Sequence, residues 1–273
     1  MSTTDSPRRL LVGVPVRNQL HYARACLETL RLRRSAETFI LIVDDASEPE
    51  CATYLRGFVE QTPDSALLVN PGQRGFPYSC NEILYNCDAP SVCLLNSDTL
   101  VSPGWDGALL DALLSDGTVG FVGPSTSWAH TRQSLSGPCL SRHDQDAASV
   151  AELAVAVGKH FAGQIEEMPT LSGFCLMFRR EVADRAGYFD ERFGLGGAEE
   201  DDFILRGRRC GFRALWVKDV YVHHFGHSSF RAEIGGAVQD LWSRNRLILE
   251  IKQMLPGMKE WAHRPEAGRI KLS

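Results

Sequence analysis

Apolar residues along this chain fall into two repeating patterns. Short runs without a polar face, at Leu10–Val16, 39–43, 66–69 and 92–95, read as strands, because a strand covered on both sides is apolar at every position. Between them lie stretches with apolar residues three and four apart. Residues 22–32 place Ala23, Leu27 and Leu30 on one helical stripe, 50–61 form a second helix, and a third opens at Pro77. This alternation predicts an α/β fold: a doubly wound, mostly parallel sheet flanked by helices and joined by helical crossovers.

The pattern loosens further on. A helix runs over 103–114, a strand follows at 119–124, and 125–138 is an aperiodic loop rich in Ser, Thr and Gly. Val150, Leu153, Ala154 and Val157 mark a helix over 147–161, and 170–178 reads as a strand containing Gly173, where another segment or a ligand approaches closely. Gly194, Gly196 and Gly197 precede a helix from Glu199 to Cys210; 214–217 and 220–222 read as two short strands. The tail, Val238–Met254, is a helix with Leu241, Trp242, Leu247, Ile248 and Ile251 on one stripe and Arg244, Arg246 and Lys252 on its polar face. That stripe suits packing on the domain, a homodimer contact or a membrane surface. With no repeat and no linker, the chain reads as one domain over 1–230 and a C-terminal helical extension over 231–273.

Composition narrows the function classes. The 273 residues are 44% hydrophobic and 23% charged, enough for a substantial core without staples. A net charge of −5 argues against a nucleic-acid binder that relies on a basic surface. The eight cysteines form no C-x-x-C pair, and Cys93 and Cys175 sit inside apolar runs, so a reduced, cytoplasmic setting is expected. Residues 1–9 are polar to basic, and the apolar run after them is too short for a signal peptide or a membrane span.

The chemistry gathers where strands are expected to stop, the edge at which open α/β sheets bind ligands. Asn96-Ser97-Asp98 ends one apolar run and Asp44-Asp45 another. A single carboxylate such as Asp98, fixed by a packed strand, suits a hard cation that completes its shell with substrate phosphates; a simple polar turn is the alternative. Glu199, Glu200, Asp201 and Asp202 open a helix, where they complement its dipole; crowding also raises the pKa of at least one, as a general base needs. His223, His224 and His227 follow a strand and offer metal ligands. No G-x-x-x-x-G-K-[ST], no G-x-G-x-x-G after the first strand and no H-E-x-x-H occurs, which disfavours P-loop, dinucleotide and metalloprotease chemistry.

Taken in order, these pieces resemble a family 2 inverting glycosyltransferase of GT-A fold, close to a rhamnosyltransferase-like bacterial group. They are Val-Pro-Val-Arg-Asn at 14–18, Val-Asp-Asp-Ala-Ser at 43–47, Asn-Pro-Gly-Gln-Arg-Gly-Phe at 70–76 with Asn81, and Leu-Leu-Asn-Ser-Asp-Thr at 94–99. Ser-Gly-Phe-Cys-Leu-Met-Phe-Arg-Arg-Glu at 172–181, Gly-Tyr-Phe-Asp-Glu-Arg-Phe at 187–193, Glu-Glu-Asp-Asp-Phe-Ile-Leu-Arg at 199–206 and His-His-Phe-Gly-His-Ser at 223–228 continue the series. The resemblance implies hexosyl transfer from a UDP- or dTDP-sugar to a saccharide, lipid-linked or other hydroxyl acceptor. It divides the domain into a nucleotide-binding half, 10–124, and an acceptor half, 125–230. It implies that Pro15, Val16, Arg17, Asp44, Asp45, Gly75, Asn81, Asn96, Ser97 and Gly173 meet the nucleotide-sugar. Mn²⁺ or Mg²⁺ would sit on Asp98 and on His224 or His223, and Glu200, or alternatively Asp201, would be the catalytic base. Location would be cytoplasmic, at the inner membrane surface if the acceptor is lipid-linked. Two positions depart from the pattern: Asn96 stands in place of an acid, and Glu200 in place of the usual Asp. Asn96 keeps open a non-catalytic nucleotide-sugar-binding protein; His223, His224 and His227 keep open a zinc-dependent hydrolase.

Overall fold

A computed structural model of the chain describes residues 10–135, 145–226 and 238–255. The predicted apolar runs form the centre of a sheet: β1 (Leu10–Val16), β2 (Thr38–Asp44), β3 (Ser65–Val69) and β4 (Ser91–Leu95). These four pair in parallel, with β1 between β2 and β4. Alternate residues of each strand feed opposite faces. Val12, Val14 and Val16 pack with α1 (Leu20–Arg33), α2 (Pro49–Gln61) and α4 (Trp105–Leu114). Leu11, Leu41, Val43, Val92 and Leu94 pack instead with α3 (Phe76–Asn86), α6 (Arg180–Ala186) and α7 (Glu199–Arg209). Each such side chain, fully buried, contributes about 1.5–3 kcal/mol, so the two cores fix the sheet from both sides.

The remaining strands are β5 (Thr99–Val101), β6 (Val119–Ser125), β7 (Ile165–Glu167), β8 (Cys175–Arg179) and β9 (Arg213–His224), with helices α5 (Ala147–His160) and α8 (Val238–Met254). The spatial order is β3-β2-β1-β4-β8-β6-β9-β5, with β7 on β9. Past β4 the sheet becomes mixed: β8 runs antiparallel to β4 and β6, and β9 runs parallel to β6 but antiparallel to β5 and β7. The parallel arrangement predicted from the apolar runs therefore describes the first half, and the antiparallel strands turn the second half back over the same edge.

Several elements differ from the sequence reading. Residues 170–174 are not strand; their polar groups are held from outside the sheet, Thr170 by Asp201 and the Ser172 amide by Gln133. The two short strands expected at 214–217 and 220–222 are one continuous β9, whose pairing with β6 shifts register between Pro124 and Ser125. That irregularity absorbs Lys218 and Asp219 without ending the strand. The short strands β5 and β7 and the helix α6 carry no periodic signal and were not expected from the pattern. In α8 the buried positions are Asn245 and Lys252, while Trp242, Leu247 and Ile251 of the apolar stripe are exposed. The helix does pack on the domain, but through polar groups that find partners there. His227 and Cys139 lie outside the described residues.

Candidate active site

The topology delivers several chain segments to one rim. Val16 pairs with Asp44 at the ends of β1 and β2, and Arg17 donates to the carbonyls of Asp45 (2.8 Å) and Ala46. Leu95, the last residue of β4, faces Cys175, the first of β8, so the segments 96–98 and 172–174 lie side by side. The Asn96 amide donates to Phe174 O at 2.8 Å, and the Phe225 amide donates to Asp98 O at 3.0 Å. The end of β9 therefore also reaches this rim. Asn96, Asp98, Gly173, Glu200 and His224 line one open cleft of about 140 Å³.

At its centre Asp98 Oδ1 lies 3.2 Å from His224 Nε2, both side chains nearly buried. His224 Nδ1 is 2.9 Å from Trp128 O. A carbonyl only accepts, so Nδ1 carries a proton, and Nε2 is the ring atom aimed at the carboxylate. A protonated ring pairs with Asp98 directly, whereas a neutral ring and the carboxylate together present two donor atoms to a cation. The other oxygen, Asp98 Oδ2, is buried with no hydrogen-bond partner among the described residues. Phe174 stacks on the imidazole, with centroids 5.1 Å apart and planes at 15°, which fixes the ring's orientation. Successive residues of a strand face opposite sides, and His223 accordingly turns away from the cleft to Ser127 Oγ and Tyr221 OH, each at 3.1 Å. Of the two candidate histidines, the cleft thus receives His224.

The four acids of α7 divide among three surroundings. The loop before them is a run of left-handed residues, Gly194, Gly196, Gly197 and Ala198, which turns the helix start into the cleft. Glu200 enters it, its chain packed 3.4 Å from where a Cβ on Gly173 would stand, and its Oε2 lacks a partner among the described residues. Burial, then the charges of Glu199 and Asp201, push its pKa well above the usual carboxylate range. Glu199 also lines the cleft, and burial raises it to about 7. Asp201 instead accepts from Thr170, and Asp202 is buried against Arg206 and Lys252.

Other expected residues have structural partners. Asp45 accepts from Asn70 Nδ2 (2.7 Å) and from the Arg74 and Gly75 amides (2.8 Å each), so its carboxylate organises the 70–75 loop. Gly75, at φ +93°, packs so tightly that a Cβ would lie 2.3 Å from Gly194 O; it joins this loop to the one before α7. Asn81 is fully buried, donating to Phe189 O (3.0 Å) and Glu191 Oε1 (2.7 Å) and accepting from the Phe189 amide. These bonds tie its amide to the segment 189–191. Asp44 accepts from the Ser47 amide at 2.8 Å, and Pro15 and Ser97 are half-buried. Sequence reading missed Trp128, His130 and Trp242, which also line the cleft. The one available signal was two aromatic rings within an otherwise small-residue loop.

The sheet whose edge carries this carboxylate, imidazole and buried acid has the GT-A glycosyltransferase fold. The chain belongs to glycosyl transferase family 2, whose family model matches residues 11–187. The fold is shared with a mannosyltransferase from Pyrobaculum calidifontis solved with GDP-Man and Mn²⁺, at a TM-score of 0.63 and 20% identity, covering 94% of this chain and 68% of that one. It is shared equally with S. aureus TarS 1-349 in complex with UDP-GlcNAc, at a TM-score of 0.63, 14% identity, and 92% and 68% coverage. Among curated relatives, the uncharacterized protein Rv1525 of Mycobacterium tuberculosis is 28% identical over 232 residues, 83% of this chain and 78% of its own.

Proposed function

We propose that this glycosyltransferase moves a hexosyl group from a UDP- or dTDP-sugar to an acceptor hydroxyl, with inversion at the anomeric carbon and with a divalent cation bound. One observation carries the reading: Asp98 Oδ1 and His224 Nε2 face each other at 3.2 Å in the same cleft as the buried Glu200. Mn²⁺ or Mg²⁺ fits this donor set, because such ions accept few protein ligands and complete their shells with substrate phosphates and water. Asp98 and His224 would hold it, and when bound it would neutralise charge growing on the departing diphosphate. Among the described residues no group of three or more potential ligand side chains, as a zinc hydrolase would use, is found, and His227 lies outside them.

Glu200 is the base in this scheme. Its carboxylate takes the acceptor's hydroxyl proton while that oxygen bonds to the anomeric carbon from the side opposite the diphosphate. The bond from that carbon to the diphosphate oxygen breaks, and its electron pair leaves with the nucleotide. A raised pKa makes Glu200 the stronger base for this step. Pro15, Val16, Arg17 and Asp44 stand where the nucleoside would lie, with Asn96, Ser97 and Gly173 nearer the sugar.

Thermal unfolding with UDP, dTDP and GDP, each with and without Mn²⁺, tests the proposal. One diphosphate together with Mn²⁺ should stabilise the protein by more than the two effects separately. Asp98→Ala should remove that synergy, and a variant stabilised as strongly as the natural protein would refute the metal role.

A further inference from the structure

The cleft has a second wall that the transfer scheme leaves unused. Trp128 and His130, from the loop after β6, and Trp242, from α8, line it together, with the Trp128 ring 5.4 Å from that of His224. The ring centroids of Trp128 and His130 are 4.7 Å apart at 68°, and those of His130 and Trp242 are 5.9 Å apart at 85°. The rings thus form a corner of steeply inclined faces, without the parallel pair that a flat nucleobase would enter. Trp242 belongs to a helix outside the 11–187 matched by the family model. Its ring is seated against Gly197, where a Cβ would come within 3.0 Å of it, and it remains 36% exposed. Its helix is pinned nearby: Asn245 Nδ2 donates to Phe193 O and Gly196 O, both at 2.8 Å.

The lining also says what would not bind here. Apart from its aromatic rings the cleft is polar or glycine, and no leucine, isoleucine, valine or methionine lines it among the described residues. A lipid chain would bury its methylenes against aliphatic side chains. A pyranose has a different need: one face of C–H bonds, attracted to the negative face of an aromatic ring, and a perimeter of hydroxyls that need donors and acceptors. The corner supplies both, with Glu200, His130 and Ser172 around the rings.

Resting on the transferase reading above, we infer that Trp128, His130 and Trp242 form the acceptor subsite and that the acceptor is a saccharide. Its ring stacks on Trp242, so that a hydroxyl is presented to Glu200. Trp242 is then a specificity-determining residue contributed by the C-terminal helix.

Saturation-transfer NMR on the full chain, with methyl glycosides of mannose, glucose, galactose and rhamnose as probes, tests this with and without UDP and Mn²⁺. At least one glycoside should bind saturably with a dissociation constant on the order of 1–10 mM. Trp242→Ala should weaken it roughly tenfold, while Trp242→Phe, which keeps a stacking face, should retain most of the affinity. Nucleotide-dependent thermal stabilisation should be the same in all three proteins. Should nucleotides fail to stabilise the protein while glycosides still bind through Trp242, the saccharide subsite stands and the transferase reading falls. The inference is overturned if no glycoside binds the natural protein, if Trp242→Ala binds it equally well, or if that variant loses nucleotide stabilisation, which would assign the ring to the donor.

Discussion

Glu200 and its neighbours show how little a cluster of acids says until each side chain is placed. A helix N-terminus favours negative charge, yet only two of the four, Glu199 and Glu200, open into the cleft, and both lack a partner for one oxygen. Glu200→Gln keeps the shape and removes the basicity. Transfer, or the slower hydrolysis of donor, should fall about 10²–10⁴-fold, with nucleotide and Mn²⁺ stabilisation unchanged. Because the replaced acid is costly to ionise where it sits, the variant should melt at or above the natural protein at pH 8. Asp201→Asn is the companion measurement: its carboxylate is held by Thr170, so turnover should survive. Loss of turnover in that variant with retention in Glu200→Gln would exchange the roles. A protein that binds nucleotide yet makes no product with any acceptor would instead favour the binding-protein reading that Asn96 suggested.

At the scale of elements, α8 is the instructive case. Its helical period was plain in the sequence, but the face that docks was not. The buried line contains Asn245 and Lys252, because the surface beneath offers carbonyls at Phe193 and Gly196 and two buried carboxylates, Asp190 and Asp202. Lys252 Nζ lies 2.6 Å from Asp190 and 2.8 Å from Asp202, and is 2% exposed. A stripe of leucine and isoleucine reads as a core face only when nothing polar can be satisfied better. Lys252→Met should therefore destabilise, although the new side chain is more apolar: it leaves two buried carboxylates without their shared cation. Breaking a buried pair costs about 3–5 kcal/mol, and Arg192 and Arg206, which still contact Asp190 and Asp202, keep the loss near the low end. A shift in the urea midpoint of that size checks it. The same variant should weaken glycoside binding at Trp242, since the helix that carries the ring is loosened.

For the molecule as a whole, what was legible follows from burial. The parallel half read clearly because β1, β2 and β4 are apolar on both faces, whereas β7, Ile-Glu-Glu on an edge, leaves no pattern. Strand ends foretold the rim, and Asp98, His224 and Glu200 meet there. A motif does not show which groups hold their own loop, and Asp45, Gly75 and Asn81 each make such internal contacts. The same two sets of acids, in the framework and in the cleft, pull stability in opposite directions with pH. Asp190 is raised by burial, but hydrogen bonds from Arg192 and Lys252 outweigh that and hold it at about 2. Its contribution is present above its ordinary value and is lost as pH falls from about 4 through 2. Glu199 is the reverse: burial lifts it from 4.5 to about 7. Between those values the folded protein keeps a proton that the unfolded chain has released, so stability declines as pH rises through that window. At about 1.4 kcal/mol per pKa unit, the loss from Glu199 is about 3 kcal/mol, and Glu200 and Asp201, also raised, titrate together with it. The metal-free protein should therefore be most stable near pH 4–5, below the usual range of 5–8. Urea midpoints taken from pH 3 to 8 should fall on both sides of that maximum, and Glu199→Gln should flatten the alkaline limb while leaving the acid limb in place. A maximum at neutral pH, or an alkaline limb unaltered in the variant, would mean that the cleft acids are ionised without cost.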